Sequence, residues 1–179
     1  NKNVEGLIKA FGFVKKTVLE KGLSLKPKLV LVGKAFLDDS LSETQNVNKL
    51  IHSLKLSEKI IKLGFVPEEN LVALYNLANV CLQPSFAEGF GFPVLEAMAC
   101  GCPAVVSRGT SMDEIAGPSI RIDPNDSSSI AEGILRVLDL THVERENLIA
   151  EGYAWVGGFS WQRTAKETVA SYEKALERI

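Results

Sequence analysis

The stretch that decides the fold is "QPSFAEGFGFPVLEAMACGCPAVVS", residues 83–107. It follows directly on a short apolar strand, "NVCLQ", passes through a turn with glycines on both sides of Phe90, and continues into an apolar helix over residues 93–100. The helix is expected to begin at Phe92 or Pro93, because the missing N–H of a proline would have no partner in the first turn anyway. The run "PAVVS" then predicts the next strand, so the stretch indicates a strand–turn–helix–strand unit of an α/β domain.

Helices and short strands alternate along the rest of the chain. Apolar residues at helical spacing predict a first amphipathic helix that ends near Gly22. Further helices are expected over 43–54, from Pro67, over 127–138 and in two closing stretches, and further strands in "KLVLVG" (28–33), "IIKLGF" (60–65) and "SIRI" (119–122). This order predicts an α/β fold, a doubly wound, Rossmann-like parallel sheet with helices on both faces. The polar residues 35–44 are the best candidate for a mobile loop.

The chain opens with a helix, whereas a doubly wound domain opens with a strand. In a sheet ordered 3-2-1-4-5-6 that first strand is central, and its absence would leave two rows of backbone groups unpaired, at about 1–3 kcal/mol for each buried group. We therefore expect that the first strand belongs to the natural protein and is missing from this sequence, or that another segment or chain takes its place. The first is favoured, because "NKN" resembles the end of a loop that follows a strand. The sheet should then be interrupted beside "KLVLVG", and the isolated chain should be marginally stable and prone to association.

The composition is that of an ordinary globular chain. Hydrophobic residues make up 46% and charged residues 23%, and 20 basic and 22 acidic residues leave a net charge of −2. That balance gives no electrostatic reason to expect nucleic acid as a partner. We see no signal peptide, and no apolar run approaches the roughly 20 residues that span a bilayer. Cys81, Cys100 and Cys102 lie in apolar surroundings and are interpreted as reduced core thiols, which indicates the cytoplasm.

The glycine-containing turn is the strongest candidate for a binding site. Glycines let a backbone approach a ligand closely, and the free N–H groups of a helix N-terminus attract anions such as a diphosphate. Ligands of open α/β sheets bind beyond the carboxyl ends of the strands, where this turn lies. Glu96, one turn into the helix, is suited to accept both hydroxyls of a ribose, and Glu88 lies nearer to a sugar attached to the diphosphate. Each feature alone is also typical of an ordinary turn or a solvated helix, and it is their combination that favours a site.

Residues 84–107 resemble the motif of the large family of retaining glycosyltransferases called group 1, including its two glutamates with seven residues between them. Supporting matches run along nearly the whole chain, in "KNVEGLIKAF", "PKLVLVG", "IIKLGFVPEENLVALYNLANV", "EIAG", "IDPNDSSSIAEGI" and "FSW". The resemblance is to the C-terminal, donor-binding domain of a two-domain (GT-B) enzyme. It implies that residues 1–179 are a nucleotide-sugar-binding domain without the acceptor-binding N-terminal domain.

The resemblance also implies roles for particular residues. The candidates are Glu88 and Lys2 for catalysis, and Gly89, Phe90, Gly91, Glu96 and Val66 for substrate binding. By similarity, Glu88 binds the donor sugar, Lys2 steadies the diphosphate, Glu96 binds the ribose, and the backbone of Val66 meets the nucleobase. The three residues of the turn contact sugar or phosphate through their backbone. Trp161 and the apolar face of the last helix are interpreted as core or interdomain packing.

The implied reaction transfers a hexose from a nucleotide diphosphate to an acceptor hydroxyl, which attacks the same face of the anomeric carbon. Preorganised cations and backbone dipoles would stabilise the leaving diphosphate. The family's arginine before the "KN" pair is missing, so that site is incomplete and the chain alone is expected to be inactive. We predict no cofactor and no metal. The expected partners are a nucleotide-sugar donor and, through the other domain, a glycan, lipid or other hydroxyl acceptor. The expected location is cytoplasmic, with peripheral contact to the inner membrane face left open.

Two alternatives stay open. A non-catalytic nucleotide-sugar-binding module, or pseudoenzyme, would keep both glutamates as this chain does. A sugar-nucleotide epimerase on the same fold would need further acid–base groups near the sugar, and we find no histidine placed for that role.

Overall fold

The computed structural model describes residues 2–177 as an alternation of helices with short strands. In chain order the elements are α1 (Val4–Glu20), β1 (Leu29–Val32), a 3-10 helix (Lys34–Leu37), α2 (Ser42–Ser53), β2 (Ile60–Leu63), α3 (Glu68–Leu77), β3 (Cys81–Gln83), α4 (Phe92–Ala99), β4 (Ala104–Ser107), α5 (Met112–Ile115), β5 (Ile120–Ile122), α6 (Ser127–Leu138), α7 (His142–Val156) and α8 (Trp161–Leu176). Each strand predicted from the sequence is present, and the expected α/β class is confirmed. Helix α5 was not predicted, because four residues are too few to show a helical period.

All strand pairs are parallel, and they form two sheets. Strand β1 pairs with β2, with Leu29 opposite Ile60, and β4 lies between β3 and β5. Parallel neighbours need crossover connections, and helices α2, α4 and the short α5 supply them. Within residues 2–177, β1 and β3 are not paired with each other. The expected interruption beside "KLVLVG" is therefore confirmed.

One apolar core bridges the two sheets. Helices α1 and α6 pack against each other, with Ile8 and Ile130 fully buried. The same cluster includes Leu31 of β1 and Val105 of β4, one from each sheet. Burial of each such side chain contributes about 1.5–3 kcal/mol. The two sheets are therefore joined by side-chain packing under α1 and α6, and not by backbone hydrogen bonds between β1 and β3.

A second core covers the opposite face of the three-stranded sheet. Strand β4 is buried at all four positions, with Val105 in the first core and Ala104 and Val106 in the second. Helix α4 and helix α5 close the second core with Val94 and Met112. A strand buried on both faces is typical of a parallel sheet between helical layers, which confirms the predicted coverage of both faces.

Two regions differ from the expectations. Residues 35–37 of the predicted loop belong to a 3-10 helix (Lys34–Leu37), and the buried Thr44 hydroxyl donates a hydrogen bond of 2.7 Å to the Ala35 carbonyl. Helix α8 has no buried residue, and Trp161 is 73% exposed, so the expectation of core packing for this helix is wrong. The physical reason is that α7, and not α8, packs against α4, so that no residue of α8 belongs to either core. Interdomain packing of α8 stays a prediction.

The three cysteines were interpreted as reduced core thiols, and of these Cys102 is buried whereas Cys81 and Cys100 are half-buried. All three are free. Burial raises the pKa of Cys81 to about 12 and that of Cys102 to about 11, so both thiols are protonated at neutral pH. Among residues 2–177, no helix has both the length and the apolar character needed to cross a bilayer.

Gly133 allows α6 to pack closely on the sheet, and its replacement tests that packing. A Cβ there would lie 2.5 Å from Ile122 Cγ2 and 2.9 Å from Val105 Cγ1, so α6 would have to move away. We expect Gly133→Ala to lower the free energy of unfolding by about 1–3 kcal/mol, measured by urea denaturation, although alanine is the better helix former. Gly152→Ala in α7 is the matched control, because its Cβ would lie 3.6 Å from Met98, and it should stabilise by up to about 1 kcal/mol. Equal effects of the two changes would contradict the close contact of α6.

Candidate functional site

The candidate site lies where the carboxyl ends of β3 and β4 meet. The loop after β3 carries Glu88, and the loop after β4 carries Ser111. The Ser111 hydroxyl donates a hydrogen bond of 2.8 Å to the Glu88 backbone carbonyl, which ties the two loops together. Because parallel strands end at the same edge of a sheet, this is the position in which open α/β folds bind ligands.

The Glu88 carboxylate is held by three donors from two distant parts of the chain. Its Oε1 accepts hydrogen bonds from Lys2 Nζ at 2.6 Å, Ser85 Oγ at 2.6 Å and Gln83 Nε2 at 2.5 Å. The side chain is only 11% exposed. All three bonds end on the same oxygen, so the geometry fixes the carboxylate while Oε2 lies outside this network.

This network keeps Glu88 ionised. Burial alone would raise the pKa of the carboxyl, but the hydrogen bonds from Lys2, Ser85 and Gln83 and the charge of Lys2 outweigh it. The pKa of Glu88 therefore lies below its ordinary value of 4.5. An ionised carboxylate accepts hydrogen bonds and donates none, so Glu88 is suited to orient hydroxyl groups rather than to act as a proton donor.

The segment before α1 is fixed at the same edge. Asn3 adopts the left-handed conformation, with φ 53°, and its side-chain amide donates a hydrogen bond of 2.6 Å to the Pro124 carbonyl. This anchors the neighbouring Lys2, which reaches Glu88 across 86 positions of sequence. The structure thus brings together the two residues predicted for catalysis, while their roles stay predictions.

Two helix N-termini lie beside this pair. Helix α4 begins at Phe92, as expected, with Gly91 as its N-cap, and α1 begins at Val4 with Asn3 as its N-cap. In the described part of the chain, residues 2–177, neither N-cap residue caps its helix through a side-chain hydrogen bond. Each carries a partial positive charge of about half a unit. Together with the ammonium group of Lys2, the two N-termini make this edge attractive to an anion.

The two glycines of the turn have different functions. Gly91 is buried with φ +107°, and a Cβ there would lie 2.8 Å from Met112 Cε and 3.0 Å from Ile115 Cδ1. A side chain at Gly91 would therefore crowd the second core. Gly89 is exposed, and a Cβ there would meet no atom within 4 Å. Gly89 is thus the glycine with open space around it.

Phe90 belongs to a chain of five aromatic rings, here called the aromatic row, that leads from the turn to α8. Its ring lies 4.8 Å from that of Phe92 and 6.4 Å, edge-on, from that of Phe159. The rings of Phe92 and Trp161 stack at 5.9 Å, and those of Phe159 and Trp155 meet at 5.9 Å. Such pairs contribute about 0.5–1.5 kcal/mol each beyond burial. The first residue of α8 is therefore in contact with the helix that begins at the glycine turn.

Glu96 is held in place from α3. The Tyr75 hydroxyl donates a hydrogen bond of 3.1 Å to Glu96 Oε2. Burial, together with the negative charge of Glu96 and the hydrogen bond to it, raises the pKa of Tyr75 above its ordinary range, so the hydroxyl stays protonated and donates at neutral pH. Glu96 is otherwise exposed, as a ligand-binding carboxylate on a helix surface would be.

Val66 lies on a different loop, between β2 and the start of α3. It is half-buried. No hydrogen bond or ion pair among residues 2–177 links Val66 to Glu88 or Glu96. Helix α3 connects the two regions, since Val66 precedes its first turn and Tyr75 lies in its last. The structure therefore joins Glu88 with Lys2 and with the turn, while Val66 stays outside these contacts.

Four residues of the site were not recognised in the sequence: Gln83, Ser85, Ser111 and Tyr75. Gln83 ends the half-buried strand β3 and Ser85 follows two positions later, and their polar character directly after an apolar run was the available signal. Ser111 and Tyr75 lie in other segments, and only the tertiary fold brings them to Glu88 and Glu96. Among residues 2–177, no three histidine, cysteine, aspartate or glutamate side chains group as metal ligands, and metal independence stays a prediction.

Comparisons with known proteins agree on one family. The sequence model of the family "Glycosyl transferases group 1" matches residues 1–155. The chain is 36% identical over 174 residues to the O-antigen chain mannosyltransferase B of Escherichia coli, covering 96% of this chain and 42% of that protein. It is 36% identical over 135 residues to an MMP alpha-(1->4)-mannosyltransferase of Mycolicibacterium hassiacum, covering 73% of this chain and 33% of that protein. The chain thus spans less than half the length of these curated relatives.

Solved structures show the same fold. Sucrose-phosphate synthase from Thermosynechococcus elongatus has a TM-score of 0.80 at 26% identity, over 99% of this chain and 43% of that one. Anabaena Alr3699/HepE, solved in complex with UDP-glucose, has a TM-score of 0.75 at 19% identity, over 95% of this chain and 44% of that one.

Removal of the Lys2 ammonium group should change the titration of Glu88. We expect Lys2→Met to raise the pKa of Glu88, because one hydrogen bond and one positive charge are lost. A carboxyl whose pKa is lowered by folding stabilises the fold at pH values above its ordinary pKa, and this contribution is lost as the pH falls through the pKa of the folded state. The variant should therefore be less stable than the unchanged protein at pH 7 and equally stable at strongly acidic pH. NMR titration of the Glu88 carboxyl carbon and unfolding at both pH values measure this. An unchanged pKa would contradict the ion pair, and Lys49→Met on the exposed face of α2 is the control.

The two glycines of the turn should respond differently to alanine. Gly91→Ala combines a left-handed backbone, which costs about 1–2 kcal/mol for a residue with a Cβ, with contact to Met112. We therefore expect a lower melting temperature for Gly91→Ala, whereas Gly89→Ala should change stability by less than about 0.5 kcal/mol. Thermal unfolding of the two variants measures the difference. If Gly91→Ala were as stable as Gly89→Ala, the described packing of Gly91 on α5 would be wrong.

Proposed function

Because the chain belongs to the family of group 1 glycosyl transferases, we propose that it is the donor-binding domain of a retaining enzyme that transfers a hexose from a nucleotide diphosphate sugar to an acceptor hydroxyl. The observation that carries this proposal is the ionised Glu88 carboxylate, fixed by three donors beside Lys2 and two uncapped helix N-termini. This arrangement offers a cation, aligned dipoles and a hydroxyl-binding carboxylate within one site.

The diphosphate is bound by positive groups in this proposal. Lys2 is mostly exposed although its amine reaches Glu88, so the amine is accessible to a ligand at the same edge. The N-termini of α1 and α4 add their partial charges without any rearrangement, because they are fixed by the two cores. As the bond to the anomeric carbon breaks, negative charge grows on the leaving diphosphate, and these groups stabilise it more than they stabilise the bound donor.

Glu88 and Glu96 bind the two ends of the donor. Glu88 accepts hydrogen bonds from hydroxyls of the sugar, and its fixed Oε1 restricts the orientation of the carboxylate. Glu96 accepts hydrogen bonds from the ribose hydroxyls, while the Tyr75 hydroxyl donates a hydrogen bond to Glu96 Oε2. Each hydrogen bond to an ionised group contributes about 1.5–3 kcal/mol. The backbone at Gly89–Gly91 lies between them, and the backbone of Val66 is proposed to meet the nucleobase.

The known relatives support a hexose donor. The two bacterial relatives at 36% identity are named as mannosyltransferases, and one structure of the same fold was solved with UDP-glucose. We propose no metal or cofactor in the reaction and a second domain that binds a glycan, lipid or other hydroxyl acceptor. We also propose a cytoplasmic location. Transfer of radiolabelled hexose by the whole protein tests the activity, and donor binding without transfer to any acceptor would favour the non-catalytic module instead.

The role of Glu96 is tested by donor affinity. We expect Glu96→Ala to weaken binding of the nucleotide sugar by roughly 10- to 100-fold, from the loss of about 1.5–3 kcal/mol of hydrogen bonding, with little change in stability because Glu96 is exposed. Tyr75→Phe, which removes one neutral donor, should weaken binding by about 2- to 10-fold. Calorimetric titration of the whole protein with UDP-, GDP- and ADP-sugars measures both effects.

The matched control is Glu69→Ala, which removes an exposed carboxylate from the first turn of α3 and should leave the affinity unchanged. A folded Glu96→Ala variant that binds the donor as well as the unchanged protein would rule out the ribose role.

A further inference from the structure

Positive charge is concentrated in one short part of the chain. Residues 9–28 contain six lysines and a single acidic residue, a net charge of +5. Because the whole chain carries −2, the other 159 residues together carry −7. These 20 residues comprise most of α1 and the segment that leads to β1. The lysine that contacts Glu88 is Lys2, which lies outside this segment, so the contacts described for the donor site do not involve these six lysines.

The same part of the chain borders an open groove of about 690 Å³. Its walls include Lys9, Phe13, Lys16 and Leu19 of α1 and Leu54 at the end of α2. Leu19 is 79% exposed and Phe13 is 47% exposed, and both line the same groove, so they form a contiguous apolar patch rather than isolated exposed residues. The groove therefore combines lysines with apolar side chains that the described core leaves uncovered.

Helical spacing explains this combination. Residues 9, 13 and 16 follow each other at four and three positions, so the two lysines flank Phe13 on the outer face of α1. The inner face is buried through Ile8, Val14 and their neighbours. Helix α1 is thus apolar on its inner face for the core, and its outer face alternates cations with large apolar groups.

The surface continues beyond the end of α1. Leu23 and Leu25 are exposed in the following segment, between Lys21 and Lys26. On the other side, Lys15 Nζ donates a hydrogen bond of 3.0 Å to the Lys55 carbonyl, which brings a further lysine to this edge. One ion pair, Lys16 with Glu20 at 3.7 Å, and one capping carboxylate, Asp126, reduce the charge only in part.

We propose that this surface, residues 9–28 with Leu54 and Lys55, is a contact site for an anionic lipid bilayer. Each lysine near a negatively charged membrane surface contributes about 1 kcal/mol, and exposed phenylalanine and leucine side chains gain by entering the boundary of the acyl chains. Such a surface is complementary to an anionic bilayer, because the lysines face the negatively charged headgroups while the apolar side chains reach the acyl chains below them. Helix α1 has 17 residues, so the surface extends away from the donor site, from about 10 Å at Lys9 to about 25 Å at the far end of the helix, measured along the helix from Lys2.

Vesicle flotation with the whole protein tests the proposal. The protein should bind vesicles of phosphatidylcholine mixed with phosphatidylglycerol, bind vesicles of phosphatidylcholine alone much more weakly, and dissociate as salt screens the lysines. Lys9→Gln combined with Lys16→Gln should lower the partition coefficient about 30-fold. Phe13→Ser combined with Leu19→Ser should lower it by about 10-fold or more.

The control combines Lys166→Gln with Leu77→Ser, which removes the same types of group elsewhere, since Leu77 is 82% exposed. Its vesicle binding should be unchanged, and every variant should keep its circular dichroism and its affinity for the nucleotide sugar, which separates this proposal from the proposed function. Absence of binding to anionic vesicles, equal binding to both vesicle types, or equal losses in the surface and control variants would overturn the proposal. Variants that change only the self-association of the protein would also overturn it and assign the surface to a second copy of the chain.

Discussion

A carboxylate that is almost removed from water has to be paired or hydrogen-bonded, and at Glu88 this requirement organises the surrounding structure. Ser85 and Gln83 donate hydrogen bonds to it from the same strand–turn unit, and Lys2 donates one from the first residues of the sequence. The exposed lysine adds only modest stability, as surface ion pairs do. Its larger effect is geometric, because it holds the N-terminus of α1 beside that of α4.

The position of α1 also depends on how the two sheets are joined. Strands β1 and β3 share no hydrogen bonds among residues 2–177. Contact between α1 and α6 therefore keeps the two-stranded and three-stranded sheets in position relative to each other. Packing is non-directional, whereas backbone pairing fixes both distance and register. The half of the domain formed by β1, α2 and β2 is therefore held to the three-stranded sheet mainly by side-chain packing in the first core.

The sequence was sufficient for the strands, for the longer helices and for the two glutamates of the candidate site, because these depend on local patterns, whereas the short α5 shows no such pattern. Helical spacing predicted α1, and the proline and glycines predicted that α4 starts at Phe92 or Pro93. Glu88 and Glu96 were identified because they flank that start. Ser111 and Tyr75 could not be found in this way, since a serine in a loop and a tyrosine in a helix have no local feature that indicates their partners. The exposure of α8 was also unpredictable, because its spacing shows an apolar face and does not show whether that face is covered.

The aromatic row has a spectroscopic consequence. The chain contains two tryptophans, and both belong to this row. Trp155 is tied to helix α5 by a hydrogen bond of 2.7 Å from its indole nitrogen to the Ile115 carbonyl, and Trp161 stacks on the phenylalanine that begins α4. The tryptophan emission of the chain therefore comes from two rings that each contact a neighbour of Phe90, and the domain contains its own optical probe of that turn without an added label.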